Sequence, residues 1–149
     1  MAGYRFSTFS QAHGREFEDA FVEECISSYR GDFTITTGTE LDKCQGTDGI
    51  LYGIPVDFTM HYNGKDHMTD LDSETSIFVR KQEIKIQYGI RYGNSYKGFS
   101  KFKKPVLVVG VKTDLAWAVW EDAIREAIHK NIQSIMDTGM DAYLDAIPD

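Results

Sequence analysis

Lys104-Pro105 leads into Val106–Val111, VLVVGV, an apolar run with no alternating polar face. A strand with one wet side alternates, whereas an uninterrupted run is the pattern of a strand covered on both faces. The rest of the chain must therefore supply sheet neighbours for it and layers over it. The upstream sequence predicts a helix over Gln11–Tyr29, with Ser10 as N-cap and Gly31 as stop signal. Phe17, Phe21, Val22, Cys25, Ile26 and Tyr29 form its apolar stripe. Short strands are predicted at Phe33–Thr37, Gly49–Tyr52 and Ile54–Tyr62, the last two joined by a tight turn at Gly53. In Ile54–Tyr62, Val56, Phe58, Met60 and Tyr62 face one way and Asp57, Thr59 and His61 the other.

A long strand is expected over Ile77–Tyr92, with a bulge or turn near Lys81 where the apolar parity changes. Ile84, Ile86, Tyr88, Ile90 and Tyr92 share one face, and Glu83, Lys85, Gln87 and Arg91 the other. The polar stretch Asn63–Ser76 reads as a mobile loop or hairpin tip, cut first by proteases. A second helix is expected over about Asp114–Asp137, ended by Gly139, with a short last helix up to Ala146. The expected fold is α+β: a central mixed sheet of four to five strands, an N-terminal helix and C-terminal helices.

A chain of 149 residues is one domain's worth, expected to span residues 1–149 and to bury a core without disulfide or metal. Sixteen Lys plus Arg against 23 Asp plus Glu leave a net charge of −7, which argues against a sequence-independent nucleic-acid coat. Cys25 and Cys44 are too few for a disulfide scaffold and could equally be free thiols in a reducing compartment. Met1–Ser7 lacks an apolar stretch of signal-peptide length, and no segment approaches a membrane span, so a cytoplasmic protein is expected.

One acid stands in an unusual place. At 100° per residue Glu18 lies between Phe21 and Val22, within the apolar stripe of the first helix. Such a carboxylate either snorkels to a cation or shares a metal, because burying it alone is costly. Gly46-Thr47-Asp48-Gly49-Ile50-Leu51 puts a second acid at a strand's mouth, a pattern an ordinary turn also produces. Asp57-Phe58-Thr59 places an acid and a hydroxyl on one strand face, and Glu83-Ile84-Lys85 an acid and an ammonium roughly 7 Å apart. The second pair suits a carboxylate that holds a cation beside a lysine that polarises water or phosphate. It is equally the pattern of a solvated strand face. Arg91–Lys104 interleaves cations and aromatics, as a phosphate-contacting surface does, or as a hairpin with solvated lysines does. His61, Asp66, His67, Asp70, Asp72 and Glu74 read as a solvated acidic loop rather than a zinc site.

Glu18, then Asp48 in GTDGIL, then an acid-x-residue strand resemble the PD-(D/E)xK, or restriction-endonuclease-like, nuclease superfamily. The resemblance covers about residues 11–92 plus Val106–Val111 and implies a restriction-endonuclease-like fold. It also implies a nucleic-acid phosphodiesterase using Mg2+ or Mn2+, with Asp48, Asp57 and Glu83 as metal ligands. Lys85 would stabilise charge at the phosphate, and Glu18 would act as a further ligand or behind the ligands. Arg91, Lys97, Lys101, Lys103 and Lys104 would hold the nucleic-acid backbone. The sequence departs from the family pattern in having Thr59 where the lysine after Asp57 belongs. Either Asn63–Ser76 is an insertion and Glu83/Lys85 complete the site, or Asp48/Asp57 are the site with the lysine lost, or Lys85 replaces it from a neighbouring strand. The alternative function is a catalytically inactive binding protein on the same scaffold, its acidic surface docking onto a basic, nucleic-acid-handling protein.

Overall fold

The computed structural model describes residues 16–36, 47–60, 62, 68–79, 81–92, 104–111 and 122–147. Helix α1 covers described residues 16–28, and α2 covers Asp122–Ala146. Between them lie six strands: β1 (Phe33–Ile35), β2 (Gly49–Leu51), β3 (Ile54–Thr59), β4 (Met68–Val79), β5 (Gln82–Arg91) and β6 (Val106–Val111). They form one mixed sheet in the order β1-β2-β3-β6-β5-β4, in which only β3 and β6 pair in parallel. The protein is an α+β fold.

β6 occupies an inner place in the sheet and is buried along all six residues, as its unbroken apolar run requires. Its parallel partner β3 is buried along its whole length too. Register carries one face across the centre, since Val56 pairs with Leu107, Phe58 with Val109, Val109 with Tyr88 and Leu107 with Ile90. Both helices cover that face. Phe21 of α1 stacks on Phe58, with ring centroids 4.9 Å apart, and the Tyr88 hydroxyl donates to the Ile135 carbonyl of α2 at 2.6 Å. The helices also meet each other: Tyr29 donates to Asp137 at 3.2 Å, His129 lies 2.6 Å from Glu24, and Arg125 pairs with Glu23.

Gly31, at φ +83°, turns the chain out of the first helix, a conformation that a Cβ disfavours. Tyr52 and Gly53 both have positive φ (50° and 79°), as a two-residue hairpin turn needs, and join β2 to β3.

Four expectations change. The sheet has six strands, because Met68–Val79, most of it assigned to the polar loop Asn63–Ser76, is a 12-residue strand. From Asp70 on its even positions are exposed, while Leu71, Ser73, Thr75, Ile77 and Val79 turn inward to differing degrees. The alternation is carried mostly by Ser and Thr and is broken by a register shift between Asp70 and Glu74, with Asp72 at φ 55°. The strand expected over Ile77–Tyr92 is the end of β4 and all of β5, divided at Lys81 (φ 68°), where a bulge or turn was expected. Gly139 does not end a helix: α2 runs through it to Ala146 and takes in the short last helix expected there. Tyr62 does not continue the face of Phe58, because β3 stops at Thr59. It lies instead against Gly89 and Gly110, and its hydroxyl is 2.8 Å from the Tyr88 carbonyl oxygen.

Candidate functional site

The sheet face turned away from the helices is polar where β3, β6 and β5 meet. Asp57, Val108 and Gly89 lie side by side in one row, and Thr59, Gly110 and Gln87 in the next. Asp57 and Thr59 are each only 4% exposed.

Asp48 joins this face through its backbone. Its N–H donates to the Val56 carbonyl at 2.9 Å, and its carbonyl accepts from the Thr36 N–H at 3.1 Å. Val56 is also the partner of Gly49, so the chain leaves the regular β2–β3 ladder at Asp48, whose carboxyl shares a side-chain hydrogen bond with Asp57. One Asp48 carboxylate oxygen accepts from the Phe58 N–H at 2.9 Å. Asp48 is buried, and burial first, then the negative charge of Asp57, push its carboxyl up to about 8. The Phe58 N–H pulls the other way, while the charge of Glu18 and a side-chain hydrogen bond with Asp57 add to the rise. At neutral pH Asp48 thus holds a proton that its buried neighbour helps to keep.

Glu18, one residue along α1 from the buried Phe17, is half-buried and near enough for its charge to act on Asp48. Three acids that the sequence spreads over 40 residues therefore come together. A fourth group completes the set. Arg91 Nη1 lies 3.2 Å from Asp57 Oδ2, the two side chains being 18% and 6% exposed. Arg91 sits two residues beyond Gly89 on the same face of β5.

Glu83 and Lys85 do not join the acids. They precede Ile86, where the β5–β6 pairing begins. Lys85 is four residues and Glu83 six residues from Gly89, roughly 13 and 20 Å along the strand. Both are exposed; Lys85 faces Glu74 at 3.6 Å, and Glu83 accepts from the Ser76 hydroxyl at 2.6 Å. The triplet Asp48, Asp57 and Glu83 is thus not a ligand set, and Lys85 is not the site's cation. Glu83-Ile84-Lys85 is the cross-strand charge pattern of an exposed face. Lys104 is exposed, with its ammonium 3.4 Å from the Gly53 carbonyl. Lys97, Lys101 and Lys103 lie outside the described residues, as do Cys44, His61, Asp66 and His67. Asp70, Asp72 and Glu74 belong to β4, where Asp70 bonds the Tyr62 hydroxyl and accepts from the Asp72 N–H at 3.0 Å.

Two residues escaped the sequence reading. Among the described residues Thr47 Oγ1 and Gln87 Oε1 are buried without a hydrogen-bond partner, and both adjoin the acids, Thr47 in sequence and Gln87 in the neighbouring row. Only strand pairing reveals the proximity of Gln87. No group of three or more His, Cys, Asp or Glu side chains among the described residues is arranged as a metal cage. Mg2+ asks for less: hard oxygen donors, often one or two carboxylates, the remaining positions going to water and substrate phosphate. Asp48 and Asp57, with the charge of Glu18 acting near them, offer oxygen donors of the kind such an ion takes.

No family model, no curated protein and no solved structure matches the chain. No described helix is long and apolar enough to cross a membrane.

Proposed function

We propose that the protein is a metal-dependent phosphodiesterase acting on nucleic acid, with a restriction-endonuclease-like arrangement of its acids. The convergence of Glu18, Asp48 and Asp57 carries this reading. Asp48 and Asp57 would hold Mg2+ or Mn2+, with Glu18 as a further ligand or orienting group. A bound ion of this kind polarises a phosphoryl oxygen and makes water a better nucleophile. The chain's own residues prepare for it: the Phe58 N–H fixes the Asp48 carboxylate, pairing with β6 fixes the Asp57 backbone, and Arg91 brings positive charge to a crowded negative cluster. The test is cleavage of plasmid and single-stranded DNA and RNA with Mg2+, with Mn2+ and with EDTA. Asp48→Asn keeps an acceptor for Phe58 and should lower cleavage by about a hundredfold or more. Equal cleavage in EDTA, or by the Asn variant, refutes the assignment.

The second reading is a catalytically inactive binding protein on the same scaffold, with a basic protein as partner. Thr59 favours it, since it is buried where the resemblance expects a lysine. Metal-induced stabilisation without cleavage of any nucleic acid would support this reading. Recovery of a basic partner whose binding weakens as salt rises would add to it. Both readings place the protein in the cytoplasm.

A further inference from the structure

Arg91 was expected on the nucleic-acid backbone, yet the structure places it on a buried carboxylate. Asp57 is almost wholly covered, so its negative charge needs a counter-charge close by, and Arg91 supplies it at 3.2 Å. The guanidinium stays partly open at 18% exposure, at the last residue of β5, while Tyr92 beyond it is 58% exposed. One end of the ion pair is thus fixed in the sheet and the other has access to solvent. Thr59 offers no charge at the position of the missing lysine, and Lys85 lies on the far stretch of β5.

We propose that Arg91 is the site's cation and has two partners: Asp57 when the metal is absent, and a nucleic-acid phosphate when Asp57 is given over to a divalent ion. This inference rests on the metal-binding carboxylates proposed above and deepens that reading. The exchange is chemically even for the side chain. A carboxylate and a phosphate both offer paired anionic oxygens, and the planar guanidinium binds either in the same bidentate way. It also explains how Asp57 can be buried in a protein that has yet to take up a cation: the arginine holds the place. Two opposite consequences follow from one residue. Arg91 competes with the metal for Asp57, so removing it should favour metal binding. It contacts phosphate in the loaded protein, so removing it should weaken nucleic acid.

The test uses the full chain and two readouts other than turnover. Mn2+ affinity is measured by calorimetry without nucleic acid, and binding of a fluorescein-labelled single-stranded oligonucleotide is measured by anisotropy in Ca2+. Arg91→Gln should tighten Mn2+ by about threefold or more and weaken the oligonucleotide by about tenfold, the loss of one charge-assisted contact. Arg91→Lys keeps the charge but not the fork. It should hold Mn2+ affinity at or above the wild-type value and weaken the oligonucleotide by about threefold or more, and it carries the test if the Gln variant fails to fold. A fall in both affinities together, or no change in either, overturns the proposal and leaves Arg91 as a structural counter-ion. Asp57→Asn and Asp48→Asn are run alongside. If wild type takes up no Mn2+, or these variants take it up unchanged, the carboxylate reading fails and the proposal with it. If they lose Mn2+ as expected and only the Arg91 variants depart from the pattern, the arginine proposal alone is wrong.

Discussion

At Asp48 a single hydrogen-bonded carboxyl reports on the whole acid cluster. Its proton is released near pH 8 in the folded chain and near an ordinary 3.8 when unfolded. Between those values the native state binds the proton that the unfolded chain has lost, so this group's contribution to stability is complete below about pH 4 and falls as pH rises toward 8. Wild type should therefore lose stability over that interval relative to Asp48→Asn, whose amide has no proton to release. Urea melts of both proteins at pH 5 and pH 8.5 read the difference directly, and parallel slopes would show that Asp48 ionises without cost. A second residue makes a simpler statement. Cys25 is buried on the sheet side of α1, and burial, reinforced by the charge of Glu24, pushes its thiol up to about 12. It should resist alkylation at neutral pH while the protein is folded and react once it unfolds, as peptide mass spectrometry would show. Labelling of Cys25 at the rate of a free thiol in native buffer would contradict the packing of α1. Glu18 was legible at this scale because a helix repeats at fixed angles, so one acid within an apolar stripe stands out. The Arg91–Asp57 pair was not, because 34 residues and two strand pairings separate its members and no local pattern links them.

Among the elements, α2 shows how packing overrides a local signal. Gly139 reads as a helix stop because glycine weakens helices and often follows their ends. Here it is in mid-helix because α2 lies against Tyr88. A Cβ at Gly139 would stand 2.8 Å from Tyr88 Cδ1 and Cε1, and the Tyr88 ring is held by bonds to Ile135 and Thr75 and cannot easily turn aside. Gly139→Ala gains helix propensity of up to ~1 kcal/mol, yet overpacking a fixed ring typically costs about 1–3 kcal/mol. The net expectation is destabilisation by about 1 kcal/mol, measured by urea unfolding; a more stable variant would mean that the helix can rise off the sheet. Tyr88→Phe probes the same contact from the other side. It leaves the buried Ile135 carbonyl and Thr75 hydroxyl short of a partner and should cost about 1–2 kcal/mol. β4 was hidden for a related reason. Its inward positions include Ser73 and Thr75, which cross-strand contacts bury partly but which carry no hydrophobic signal. β5 and β6 were legible because Ile, Tyr and Val mark their buried positions openly.

For the molecule as a whole, the decisive feature is the parallel pairing of β3 with β6, strands whose starts lie 52 residues apart in the chain. Sequence marks β6 as buried on both faces and β3 as apolar on one, but nothing local says that they are neighbours, and it is this pairing that carries β5, and with it Arg91, to Asp57. The topology also sets where the fold should open. β3 and β6 have a strand on either side and no exposed residue, whereas β1 and β4 are the sheet's two edges. β1 has three residues, two of them exposed, and β4 is solvent-facing at every even position from Asp70 to Phe78. Amides that exchange only through global unfolding should therefore concentrate in β3, β6 and the paired half of β5, while β1 and the Asp70–Glu74 irregularity of β4 exchange through local opening. Native-state hydrogen exchange at several low urea concentrations separates the two classes. Central amides should share one large urea dependence, that of complete unfolding, and the edges should show little. A β6 that exchanges as readily as β1 would break the link between the apolar run at Val106–Val111 and the centre of the sheet. The acid cluster should follow the centre rather than the edge, because the Phe58 N–H that Asp48 accepts belongs to β3. Its protection is thus a direct gauge of how rigidly the site is held. Asp48→Ala removes that acceptor and should speed exchange at Phe58 by more than it speeds exchange in β6.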